Sequence, residues 1–348
     1  MRHRAADLLA FADALLRAAG LAGDRAAAVA EVLLESDLLG HTTHGLAMLA
    51  AYLDDLQAGK MERTGEHAVL RDDGAAQTWD GRYLPGPWLV KQAIAAATRK
   101  LHEHPVAVVV IRRSHHIGCL EAYLKPVTDQ GHVVLLTCSD PAGKGVAPHG
   151  AVASRITPNP VAAGFPTSGD PVLIDVSMST TTNAMTRRLY EAGERLPGRW
   201  LVDADGHASD DPAVLFAERP GAVLPLGGLH LGHKGFALAL LVEALTSGLA
   251  GHGRADEPRR WGASVFLMLI DPDRFGGREA FVRETTKLAE MCRTAPVAPG
   301  APPVRLPGAA ALARRARQLE EGVALHPTVL PKLAPWAERL GVPMPVPA

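Results

Sequence analysis

The chain has 348 residues, with 47% hydrophobic and 21% charged side chains, so it can bury one large core or two modest ones and is not a disordered segment. Lys and Arg total 36 against 37 Asp and Glu, a net charge of -1. That balance gives no electrostatic reason to propose a nucleic acid or an anionic membrane as partner.

The basic, apolar start MRHRAADLLAFADALL is interrupted by Asp7 and Asp13, and no small-residue cleavage pattern follows. It reads as a helix of the mature protein, with Gly20 as its stop. No apolar run reaches the roughly 18 to 20 residues that cross a bilayer. The three cysteines, Cys119, Cys138 and Cys292, are odd in number and far apart, which suits a reduced compartment. The expected location is the cytoplasm.

In chain order, a second helix is expected from about Asp24 to Leu39, ended by Gly40. HTTHG leads into a third through Met48, Tyr52 and Leu56. VAVVVI (106–111), HVVLLT (132–137) and VLID (172–175) are β-branched or continuous apolar runs, the pattern of strands buried on both faces. A helix through Leu120 and Val127 separates the first two. Gly and Pro from Pro141 to Pro171 predict a loop with little regular structure. A long apolar helix follows over 234–249, then a strand over 264–271. Helices at 278–291, 308–321 and 331–340 close the chain, which suggests that the two ends pack together.

RRSHHIGCLEAY carries the most chemistry. His115 and His116 follow a strand, where α/β proteins gather catalytic groups, and a histidine there can exchange protons near neutrality. Capping the next helix is the plainer role, and on local sequence alone the commoner one. In GHTTHG, His41 and His44 have a spacing that can hold a metal, but no acidic or cysteine motif accompanies them, so a polar helix start is favoured and no metal is assigned. GGLHLGHKGFALALLVEAL places Lys234 at the expected start of a helix, the shape of an anion site, with a plain helix entry as the equal alternative. No G-x-G-x-x-G follows the first strand, and no P-loop or nucleophile elbow occurs.

Seven stretches together resemble the malate/L-lactate dehydrogenase family that lies outside the Rossmann group: SDLLGHTTHG, RRSHHIGCLEAY, SDPAGKGVAPHGA, TPNPVAAGFPT, LIDVSMSTT, LPGRWLVDADGHASDDP and LGHKGFALALLVEALTSGLAG. Its relatives include ureidoglycolate and sulfolactate dehydrogenases and reductases of piperideine-2-carboxylate. The resemblance implies an α+β fold: a non-Rossmann NAD(P)-binding mixed sheet over 76–304, and a helical domain formed by both termini, 1–75 and 305–348. It implies NAD or NADP as cofactor, a small-molecule substrate and a homodimer. Matched residue by residue, His116 is the proton donor/acceptor and His44 stands beside substrate and nicotinamide. Ser139, Asp175, Val176, Ser177 and Asn159 line the cofactor, and Lys234 holds its phosphates. Thr43 replaces the motif's serine.

Met48 stands where the family has an arginine that clamps the substrate carboxylate bidentately, and Met185 falls where relatives carry Lys or Asp. Losing such a contact removes roughly 1.5 to 3 kcal/mol, enough to change substrate choice without changing the reaction. The expected reaction is NAD(P)H-dependent reduction of a C=O or C=N, on a 2-oxo acid-like compound, a cyclic imine or a specialised-metabolism intermediate. Arg113, Arg187 or Arg188 could supply the missing charge. The alternative is a chain that keeps the fold but has lost redox chemistry, acting as a cofactor-binding regulator or using His116 as a base.

Overall fold

The computed structural model describes residues 2–348. Helices α1 (Ala5–Ala18), α2 (Gly23–Leu39) and α3 (Leu49–Gln57) open the chain. α1 buries Leu8, Phe11, Ala12, Leu15 and Leu16, the stripe that its 3.6-residue period predicts. α2 stops at Gly40, whose φ of 98° is a left-handed cap that a side chain rarely tolerates.

Next come β1 (Ala68–Asp73), β2 (Ala76–Asp80), α4 (Gly86–Lys100), β3 (Val106–Ser114), α5 (Leu124–Thr128), β4 (Val133–Ser139), β5 (Val161–Phe165) and β6 (Val172–Val176). α6 (Asn183–Ala192) leads to three short strands, β7 (Leu201–Val202), β8 (Ala208–Ser209) and β9 (Ala222–Val223). α7 (Gly228–Glu243) runs into a π-helical turn at Ala244–Gly248. β10 (Ala263–Ile270), α8 (Arg278–Arg293), α9 (Ala309–Glu321) and α10 (Val329–Leu340) complete the chain.

The main sheet is mixed and has seven strands in the order β1-β2-β3-β10-β4-β5-β6. β2 and β3 are parallel, and the other neighbours are antiparallel. β10 enters from late in the chain between β3 and β4. These three central strands are therefore covered on both faces, which explains their unbroken apolar sequences. One face packs Val109, Ile111, Val134, Leu136, Val265 and Leu267 with α4 and α5. The other packs Val110 and Phe266 with Ala250 and Leu245.

A second core joins the two ends of the chain. Leu8, Leu15, Leu33, Leu49 and Leu53 pack with Val323, Val329, Leu333 and Trp336, and His3 bridges Val323. This is the terminal packing that the helix-rich ends suggested.

Several elements differ from the sequence expectation. The stretch 141–171 contains β5, whose VAAGF is too short and small-residued to read as a strand. The β1–β2 hairpin starts at Ala68, inside the segment 1–75 expected to be helical, because β1 is an exposed edge strand whose consecutive Arg71, Asp72 and Asp73 leave no apolar alternation to read. α7 begins at Gly228, earlier than Lys234, because its glycine-rich first turn reads as loop. Lys234 therefore lies in the body of the helix, away from the first-turn amides, and the proposed convergence of ammonium and N-terminal N–H groups does not occur.

Candidate active site

β3 ends in Ser114, and the chain then turns through His115 and His116 under the HTTHG turn that follows α2. His116 Nδ1 lies 2.6 Å from the Tyr52 hydroxyl on α3. The ring stacks on Trp261 at 4.9 Å and faces His44 at 5.9 Å. Thr43 Oγ1 lies 2.9 Å from His44 Nδ1 and fixes that ring. The buried neighbour His115 is held by Asp55 at 3.0 Å and meets Trp261 edge-on. One imidazole, His116, is thus clamped on one nitrogen and along one face, which leaves Nε2 without a hydrogen bond among the described residues.

The electrostatics favour the neutral form of both histidines. Burial, then the nearby charges of His41 and Arg188, lower His44 to about 4. Burial, then His44 and His115, push His116 well below the ordinary histidine value. Burial also raises the Tyr52 phenol, so it stays a hydroxyl and can donate to or accept from the ring.

The same two segments build the edge of a pocket of about 460 Å³. His41 Nε2 lies 2.5 Å from Glu121 Oε2, while Asp175 Oδ2 accepts the Glu121 N–H at 3.0 Å and the Cys119 thiol at 3.6 Å. Asp175 and Val176 line this pocket with Leu306, Pro307 and Gly308, and Arg305 and Arg314 bring positive charge to it. The backbone N–H of His44 donates to His41 O at 2.8 Å, which ties the pocket's rim to the His44–His116 pair.

His41, Cys119 and Asp175 do converge within 4.8 Å, so a cysteine absent from the local sequence lies beside the first histidine. Burial raises the Cys119 thiol well above its usual range, and its hydrogen goes to Asp175. A protonated thiol engaged as a donor is a poor metal ligand.

The other expected contacts are dispersed. Ser139 is buried and bonded to Thr246 and Ser247 in the π-helical turn at 2.8 and 3.2 Å. Asn159 is buried with φ 45° and donates to Ala239 O and Glu243, so its amide nitrogen pins α7. Ser177 pairs with Ser179 at 2.6 Å. Lys234 and Met185 are exposed. Met48 is half-buried and packs, with Trp261, against the terminal core. Sequence reasoning missed Tyr52, Trp261, Asp55 and Glu121 as members of the site. Tyr52 read only as the apolar face of a helix, and Trp261 stands in a stretch with no motif.

The sequence profile of the family described as "Malate/L-lactate dehydrogenase" matches residues 4–334. The chain belongs to this family of nicotinamide-dependent oxidoreductases. It is 32% identical over 339 residues to an L-lactate dehydrogenase of Cupriavidus necator, covering 95% of each chain. It is 29% identical to a Delta(1)-pyrroline-2-carboxylate reductase of Ancylobacter novellus, covering 91% of this chain and 92% of that protein. The malate dehydrogenase structure from Entamoeba histolytica superposes with a TM-score of 0.93 over 99% of both chains; at 20% identity it speaks for the fold alone.

Proposed function

We propose that this protein reduces the C=O or C=N bond of a small oxo or imino acid, with His116 exchanging the proton at the heteroatom. The observation that carries this reading is the clamped imidazole: Nδ1 on Tyr52, one face on Trp261, and Nε2 left for a substrate. Relatives named for both an oxo-acid and an imino-acid reaction support the two substrate types.

The pocket beside Asp175, about 460 Å³ with Arg305 and Arg314 at hand for phosphate, supports a seat for part of the dinucleotide. Asp175, Val176 and the 306–308 backbone would hold it. When bound, NADH or NADPH supplies the hydride. The chain's own residues supply the rest. Imidazolium His116 donates its Nε2 proton to the developing alkoxide or amide anion, its Nδ1–H meanwhile donating to Tyr52. Trp261 and His44 wall the cleft and exclude water. Lys234 is assigned to a phosphate on the resemblance alone, and Ser139 and Asn159 serve by holding β4, the TPNP turn and α7 in place.

We further propose that the helical part formed by both termini is one wall of this cleft and the sheet the other, and that the protein acts in the cytoplasm as a homodimer. Leu231, Leu238 and Leu241, about half exposed along α7, support the dimer as an apolar surface.

Fluorescence titration with NADH and NADPH, followed by a panel of 2-oxo acids, cyclic imines and simple ketones at the nicotinamide absorbance, tests this reading. Binding of at least one dinucleotide and turnover of an oxo or imino acid are expected. Binding of neither contradicts it and favours a chain that has lost redox chemistry.

A further inference from the structure

We propose that Arg188 is the cation that grips an anionic group of the substrate, from the side of α6 and Thr42. The inference rests on the reductase reading above. Met48 is half-buried among apolar neighbours and offers no charge. Three arginines near the matched motifs are candidates to replace it, and the fold separates them. Arg113 is spent on Asp80, to which its Nε and one terminal nitrogen both donate. Arg187 lies over the Phe216 ring at 5.1 Å. Arg188 alone crosses from α6 to the HTTHG turn.

Its two terminal nitrogens donate to Thr42 Oγ1 at 3.0 Å and to Thr42 O at 2.9 Å. Thr42 is followed by Thr43, which orients His44. A guanidinium has five N–H donors in a planar fork, so these two bonds leave donors free for a carboxylate. Among the described residues no carboxylate lies within ion-pair distance of Arg188. The nearest acidic influence is Asp37, buried behind the turn, whose Oδ2 accepts the Leu46 N–H and whose carboxyl burial raises to about 7. The charge of Arg188 reaches His44 and contributes to holding that imidazole neutral. A partly buried cation without a counter-ion, anchored by bonds that fix its direction, is a prepared anion contact.

The substrate class follows. The carboxylate lies toward α6 and Thr42, and the Met48 side is an apolar wall that suits a hydrocarbon substituent. The site would therefore select oxo or imino acids bearing an apolar group over dicarboxylates.

The test uses a matched pair of unreactive probes, oxamate and its uncharged isostere oxamide, titrated calorimetrically into the full-length protein alone and with excess NADH or NADPH. Wild type should bind oxamate more tightly than oxamide. Arg188→Gln should weaken oxamate about 10- to 100-fold and leave oxamide unchanged, and Arg188→Lys should recover part of the loss. Equal losses for both probes would make Arg188 a prop for the Thr42 turn and overturn the proposal. So would unchanged oxamate affinity in Arg188→Gln, or no oxamate preference in wild type. Thermal melts of both variants identify one that has not folded. The cofactor titration is separate, so a failed reductase reading shows as absent dinucleotide binding while oxamate still scores the anion contact.

Discussion

The Tyr52 hydroxyl lies 2.6 Å from Nδ1 of His116, so a phenol buried on a helix of one core is hydrogen-bonded to an imidazole at the end of a strand of the other. Tyr52 can accept Nδ1–H from the imidazolium or donate to Nδ1 of the neutral ring. It therefore eases both protonation states that a reversible proton exchange requires. Tyr52→Phe should lower turnover about 10-fold or more by removing this hydrogen bond, with dinucleotide affinity unchanged. It should also move the alkaline fall of the reduction profile to lower pH, because the charge-assisted bond from the imidazolium is the stronger of the two that are lost. A purely structural Tyr52 would leave the pH profile in place.

The pH dependence has a definite sign. His116 is held well below its ordinary value by burial and by His44 and His115. Reduction needs the imidazolium, whose population falls tenfold per pH unit above its pKa. Reduction should therefore slow steadily from pH 6 to 8, while oxidation, which needs the neutral ring, stays level there. Steady-state rates in both directions across this range check it. Reduction that accelerates with pH would contradict His116 as the acid.

Much of this was legible in the chain. VAVVVI and HVVLLT declared central strands because burial on both faces demands continuous apolar sequence. Gly40 declared the end of α2 because its φ is positive. His44 and His116 were legible through motifs that survive in order. Tyr52 and Trp261 were not, because an aromatic that only packs a core and one that also touches the His116 ring share the same periodicity. Arg188 was legible only as one of three arginines, since α6 reaches the HTTHG turn through tertiary folding. Lys234 misled because a glycine-rich helix turn looks like a loop.

Asp37 tests the framework behind the turn. Burial raises its carboxyl to about 7, partly offset by the Leu46 N–H and Arg188. Its folded pKa exceeds its unfolded value of 3.8, so the native state binds more protons in the window between them. This group's contribution to stability is present below pH 3.8 and is lost as pH rises through 7. Asp37→Asn keeps an oxygen for Leu46 and cannot ionise. It should raise the melting temperature at pH 8 relative to wild type and change it less at pH 5. Melting curves at the two pH values suffice, and the opposite ordering would show that Asp37 serves the fold as an anion.

Met48→Arg restores a guanidinium on the helix carrying Tyr52. It should raise kcat/KM for 2-oxo dicarboxylates by about 10-fold or more, because their second carboxylate would meet the new guanidinium. No gain on any 2-oxo dicarboxylate would mean that the Met48 side does not face the substrate.

The most direct test of the account is His116→Gln, assayed beside a dinucleotide titration on the same preparation. Glutamine can still bond Tyr52 but cannot exchange a proton near neutrality. Turnover should fall about 10²- to 10⁴-fold while NADH or NADPH binds as in wild type. Near-normal turnover with intact cofactor binding would make His116 a structural cap and contradict the account.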